Sequence, residues 1–155
     1  MSVLDRLEQL GLSLPEASAP PGAFVGAICW GRTVTVSGQV PLVRGRVVAT
    51  GRLGADVSLE LGCTCARLAL LNCLAQLAIV AGSLDNVAGF VRLAGYVAAV
   101  AEFSQHGKVV DGASELLREL FPDRWHHARL AVGVASLPRG VPVEIELTAM
   151  LKDEH

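Results

Sequence analysis

The segment LELGCTCARLALLNCLAQLAIVAG, residues 59–82, restricts the fold more than any other stretch of the chain. Ser58 is a plausible N-cap, Glu60 sits favourably in a first turn and Gly82 is a natural stop, so the spacing predicts a helix over 59–81. Its apolar positions nearly encircle it. Such a helix has to be covered on more than one side, packed on a sheet and crowded by something else. Asn72 and Gln76 interrupt it, and its most apolar part, ARLALLNCLAQLAIVAG, is shorter than the roughly 20 residues that a membrane span needs.

The other elements follow from local pattern. MSVLDRLEQLGLSLPE carries acids within its first ten residues and reads as a short amphipathic helix, unlike a signal peptide, so a cytoplasmic location is expected. LPEASAPPG is a Pro-rich connector. AFVGAICWG and TVTVSG alternate as two strands, with Gly31-Arg32 as a hairpin turn, and RVVATG adds a short third strand. NVAGFVRLAGYVAAV is a strand, and a second amphipathic helix runs from about Val109 through DGASELLRELF, ending before Pro122. ARLAVGVAS and VPVEIELTAM close the chain as two strands around the turn LPRG. The order ββ(β)αβαββ is an α+β pattern, a mixed sheet with two helices packed on one face. The 155 residues make one domain, with residues 1–20 as N-terminal helix and connector.

The sheet's second face needs a cover. Charged residues are 18% of the chain against about 25% in a typical soluble domain, and mean hydropathy is +0.47. That excess of apolar surface is most simply hidden against further copies of the chain. The net charge of -2 lacks the basic surplus that phosphate-backbone binding requires, so nucleic acid is not the expected partner.

Most of the usual catalytic patterns are missing. Neither G-x-G-x-x-G after a strand nor the Walker loop occurs. Cys63 and Cys65 form C-x-C, but two positions on a helix diverge by about 200° and no histidine lies near in sequence, so no metal site is expected. Cys29, Cys63, Cys65 and Cys73 read as small buried residues. His126 and His127 would face opposite ways on an extended chain and read as a solvated pair; His106 and His155 stand alone. Ser37 lacks a nucleophile elbow and reads as a turn residue, with Gly38 allowing close approach of backbone to a ligand.

Two features remain. In VPVEIEL, alternation sends Val143, Ile145 and Leu147 to one face and both Glu144 and Glu146 to the other. Arg129 stands at the mouth of an otherwise apolar strand. Together with VSGQVPL at 36–42, the long helix flowing into GSLDNVAGFVRL, and ARLAVGVASLPRGVPVEIE at 128–146, these residues resemble the reactive-intermediate deaminase family, the Rid or YjgF-type proteins. The resemblance spans the chain from about Pro21 onward. It implies a chorismate-mutase-like fold and a homotrimer with sites in the clefts between subunits.

It also implies an activity: hydrolysis of 2-aminoacrylate-like or other 2-imino acids to 2-oxo acids and ammonia. By resemblance, Arg129 grips the substrate carboxylate, Glu144 positions the hydrolytic water and the backbone around Gly38 cradles the substrate. Phe24 stands where many members have a tyrosine, and Ala131 where they often have a cysteine, leaving its carbonyl for that contact. AAVAEF replaces a polar segment before the second helix. These departures mark a divergent subgroup. A planar guanidinium binds a carboxylate through two parallel hydrogen bonds, and an iminium carbon is already electrophilic, so this chemistry needs no metal or organic cofactor. The alternatives are a trimer that binds small carboxylates without turnover, and a ribonuclease acting on single strands.

Overall fold

The computed structural model describes residues 1–153, which leaves His155 outside the described residues. Helix α1 (Val3–Gln9) is closed by a reciprocal cap, Asp5 N–H donating to Ser2 Oγ and Ser2 N–H to the Asp5 carboxylate, and buries Val3 and Leu7. Strands β1 (Ala27–Trp30) and β2 (Thr33–Gln39) form a hairpin around Gly31, whose φ of +60° suits a two-residue turn. A small separate hairpin, β3 (Leu42–Val43) with β4 (Arg46–Val47), precedes helix α2 (Leu59–Ala81). Strand β5 (Val87–Ala98), helix α3 (His106–Leu120), β6 (Ala128–Val134) and β7 (Val143–Leu151) complete the chain.

The main sheet has the order β1-β2-β7-β5-β6. All neighbours are antiparallel except β5 and β6, which run parallel because α3 crosses between them. Both long helices lie on one face. Leu70, Leu74 and Leu77 of α2 meet Ile145 and Leu147 of β7 in the core, while Leu116, Leu117 and Leu120 of α3 extend it toward the β6 edge. Each such leucine contributes about 2 kcal/mol by leaving water.

Helix α2 matches its expected bounds, with Ser58 Oγ accepting from Leu61 N–H and Gly82 ending it at φ +71°. By length and composition it would also cross a bilayer, but its apolar surface is used on the sheet and on α3. Its two polar interruptions are buried and bonded. Asn72 donates to the carbonyls of Val40 and Leu42, and Gln76 to that of Ser18, which ties the β2–β3 link and the N-terminal connector to the helix.

Several local expectations change. RVVATG contributes only Arg46–Val47, paired outside the main sheet with Leu42–Val43, so it is not a third strand of that sheet. Only Ala27–Trp30 of AFVGAICWG is strand; Phe24 precedes it and is 54% exposed. Helix α3 begins at His106, a turn before Val109. Ser37 sits within β2 at a bulge, where the pairing shifts between Val36 opposite Leu147 and Gln39 opposite Ile145. Its hydroxyl donates to the Val25 carbonyl.

Candidate functional site

Alternation along β7 separates two chemistries. Val143, Ile145 and Leu147 are buried under the helices, and Glu144 and Glu146 point to the open face. On that face Glu144 lies opposite Tyr96, and Tyr96 opposite Val132, so one row crosses three strands. Arg92 pairs with Glu146 at 3.2 Å, whereas Glu144 has no cationic partner among the described residues. Burial first, and the charge of Glu146 second, raise the Glu144 pKa above the ordinary carboxylate value. The Glu144 side chain rests on Gly38, where a Cβ would stand 3.0 Å from its Cδ. Gly38 is thus a point of close approach, although to the catalytic candidate's own side chain.

Arg129 belongs to the other face. It lies opposite Leu93, which lies opposite Leu147, so its side chain turns toward the helices at the outer edge of the sheet. There its Nη1 donates to Asp111 Oδ1 at 2.6 Å and to Ser114 Oγ at 3.3 Å, and its Nη2 to the Gly107 carbonyl at 3.3 Å. Gly107, Asp111 and Ser114 follow helical spacing and form one stripe of α3. The Nε of Arg129 has no partner among the described residues, and the side chain is 29% exposed. Arg129 and Glu144 therefore do not meet within one chain.

Ala131 and Gly133 share the Arg129 face of β6, and the His106 ring covers Gly133. A cavity of about 540 Å³ opens beside them at the C-terminal ends of β5 and β6, walled by Arg52, Phe103, His106 and Gly133 among others. Phe24 is exposed in the segment before β1, whose next residues Val25 and Gly26 accept hydrogen bonds from Ser37. The candidate residues thus form two groups, Arg129 and Ala131 at the edge and Glu144 and Gly38 at the open face, with Phe24 in the exposed segment before β1.

The reading of His126 and His127 as a solvated pair holds for His126, which is exposed, and is corrected for His127. His127 is half-buried, its Nδ1 bonding the Trp125 carbonyl at 2.7 Å and its Nε2 the Ser114 hydroxyl at 3.0 Å; His126 stacks on Trp125. Asp111 and Ser114 were not singled out from sequence, and His127 was read only as one of that pair. Helical periodicity puts 107, 111 and 114 on one stripe, but nothing local says that the stripe faces Arg129. Cys63 and Cys65 do diverge: Cys65 is buried, with its thiol pushed up to about 11 by desolvation, while Cys63 donates to the Lys108 carbonyl. Among the described residues no three His, Cys, Asp or Glu side chains are grouped to hold a metal ion.

A five-stranded mixed sheet backed by two helices, with its charged candidates divided between an edge and an open face, defines an α+β protein of the chorismate-mutase-like class. Residues 4–149 match the family model described as "YjgF/chorismate_mutase-like, putative endoribonuclease", and the chain belongs to that family. It is 36% identical over 152 residues to protein TCP17 of Trypanosoma cruzi, covering 97% of this chain and 95% of that one. Among solved structures, a "putative endoribonuclease" from Shewanella oneidensis MR-1 superposes with a TM-score of 0.94 at 33% identity, covering 97% of this chain and 100% of that one. The Agrobacterium tumefaciens protein Atu1372 gives a TM-score of 0.90 at 35% identity, over 97% and 92%.

Proposed function

We propose that the protein hydrolyses small 2-imino or enamine acids to 2-oxo acids and ammonia, in homotrimers whose sites are built between chains. The observation that carries the reading is the Arg129 guanidinium. Asp111, Ser114 and Gly107 hold one end of it, while Nε and the remaining Nη2 hydrogen stay available as a fork for a substrate carboxylate. Glu144 suits the second task, because its raised pKa brings the carboxylate nearer the working pH of a general base and no cation neutralises it.

In this scheme Glu144 accepts a proton as water oxygen bonds to the iminium carbon. Glu144 then hands that proton to the carbinolamine nitrogen and takes the hydroxyl proton as the carbonyl forms and the carbon–nitrogen bond breaks; the departing ammonia carries this proton away as ammonium, which regenerates the carboxylate. No metal or organic cofactor enters the balance. Since Arg129 and Glu144 point to opposite faces, a site that uses both draws them from two chains. Ile28, Trp30 and Leu130, exposed on the open face, favour a second copy as its cover.

The test is ammonia release from 2-iminobutyrate generated in solution by an amino-acid oxidase. Arg129→Ala should abolish it, and Arg129→Lys, which keeps the charge but loses the fork, should recover only a minor part. Full activity in Arg129→Ala sinks the reading, as does a monomer by light scattering at micromolar concentration. The family description and the Shewanella oneidensis protein's name point to a ribonuclease instead; net charge -2, with Arg92 and Arg129 both engaged by carboxylates, offers little cationic surface to RNA. RNA cleavage that vanished in Arg129→Ala would favour that alternative.

A further inference from the structure

We propose that Ser114 and His127 are positioning residues that orient Arg129 for its ligand, an inference that rests on the reading of Arg129 as the carboxylate anchor. The direction of each hydrogen bond can be assigned from the atoms alone. The Trp125 carbonyl can only accept, so His127 Nδ1 carries the hydrogen. In the neutral imidazole Nε2 is then the acceptor, and the Ser114 hydroxyl donates its one hydrogen to it. That turns the lone pairs of Oγ toward Arg129 Nη1, which donates to them at 3.3 Å. A relay runs from a backbone carbonyl through imidazole and hydroxyl to guanidinium.

Its anchorage is firm at the far end. Trp125 packs partly buried against the core, and its ring stacks on His126 at 4.4 Å between centroids and meets His127 edge-on, which ties the link between α3 and β6 to the core. Ser114 is fixed on the α3 stripe that also supplies Gly107 and Asp111. Without the relay, Arg129 keeps an ion pair to Asp111, whose side chain is 48% exposed, and a 3.3 Å contact to Gly107. Solvent-exposed ion pairs hold geometry weakly. The relay therefore fixes which edge of the guanidinium is engaged and leaves Nε directed outward for the ligand.

The test uses the full chain and two readouts: side-chain nitrogen NMR of Arg129, which reports rotation about the Nε–Cζ bond without any ligand, and titration with 2-oxobutyrate. In the wild type the rotation should be hindered. Ser114→Ala and His127→Leu should free it and weaken 2-oxobutyrate binding roughly tenfold, the loss of about one hydrogen bond to a charged group. The maximal rate at saturating imino acid should change far less than KM. His127→Gln, whose amide oxygen can stand where Nε2 stands, should restore both readouts to within about twofold of wild type. Unchanged rotation and affinity in Ser114→Ala, or identical behaviour of His127→Leu and His127→Gln, overturns the proposal. If Ser114→Ala does not fold, the two His127 variants decide. Arg129→Ala binding 2-oxobutyrate as wild type does would instead strike the anchor itself, while the NMR arm still judges the positioning claim.

Discussion

Replacing Gly38 with alanine perturbs the open-face carboxylate without changing it. The backbone at Gly38 is not among those with positive φ, so an L side chain fits the chain conformation. The conflict is with Glu144: the added Cβ would stand 3.0 Å from its Cδ and 3.3 Å from its Cγ, and would overlap Oε1. Carbon atoms rest at about 3.5–4.0 Å, so the carboxylate has to swing aside by about 1 Å. Because the displaced group is the end of a flexible side chain, stability should change by less than about 1 kcal/mol. A catalytic group misplaced by that distance costs on the order of 100-fold in rate. Steady-state ammonia release should therefore show kcat falling by roughly that factor. The affinity for 2-oxobutyrate, set by Arg129 on the opposite face, should stay within about twofold. An unchanged kcat would refute the water-placing role of Glu144. A loss of affinity as large as the loss of rate would refute the division of labour between the two faces.

Because burial and then Glu146 raise the Glu144 pKa, the folded chain holds that proton more tightly than the unfolded one. The associated stability is complete below the ordinary glutamate pKa of about 4.3 and is lost as pH rises through the raised value. Glu144→Gln should thus melt at least as high as wild type at pH 7, with the advantage vanishing below about pH 4; a lower melting temperature at pH 7 contradicts the desolvation argument. Gly112→Ala should destabilise by about 2–3 kcal/mol. Its Cβ would stand 2.9 Å from the carbonyl carbon and 3.1 Å from the Cα of Cys63, backbone that moves only if α2 and α3 part. Wild-type denaturation by that variant would show the helices less tightly apposed than described.

Much of the fold was readable because its signals are local. A cap, a stop and an apolar run delimit α2, and strict alternation assigns both faces of β7. What failed was pairing. Whether Arg46–Val47 joins the main sheet or only Leu42–Val43 depends on where the chain turns after Gln39, which no residue pattern announces. The bulge at Ser37-Gly38 shows only in the register against β7. The candidate site was legible as a set of residue types but not as a geometry. Arg129 and Glu144 are separated onto two faces through the successive pairings with Leu93 and Leu147, information that resides in the sheet rather than in either segment. The relay through Ser114 and His127 was hidden for the same reason, since it joins a helix stripe to a loop through tertiary packing.

The claim that Arg129 and Glu144 act together across two chains is tested most directly by mixing two inactive variants. Arg129→Ala and Glu144→Gln, each inactive alone, should be unfolded together and refolded in equal amounts so that trimers form at random. An interface between an intact Arg129 on one chain and an intact Glu144 on its neighbour then arises in about a quarter of sites. The mixture should recover about that fraction of wild-type ammonia release. Trimers that form from both chains yet recover no activity would contradict the account, since a site complete within one chain cannot be rescued by its neighbour.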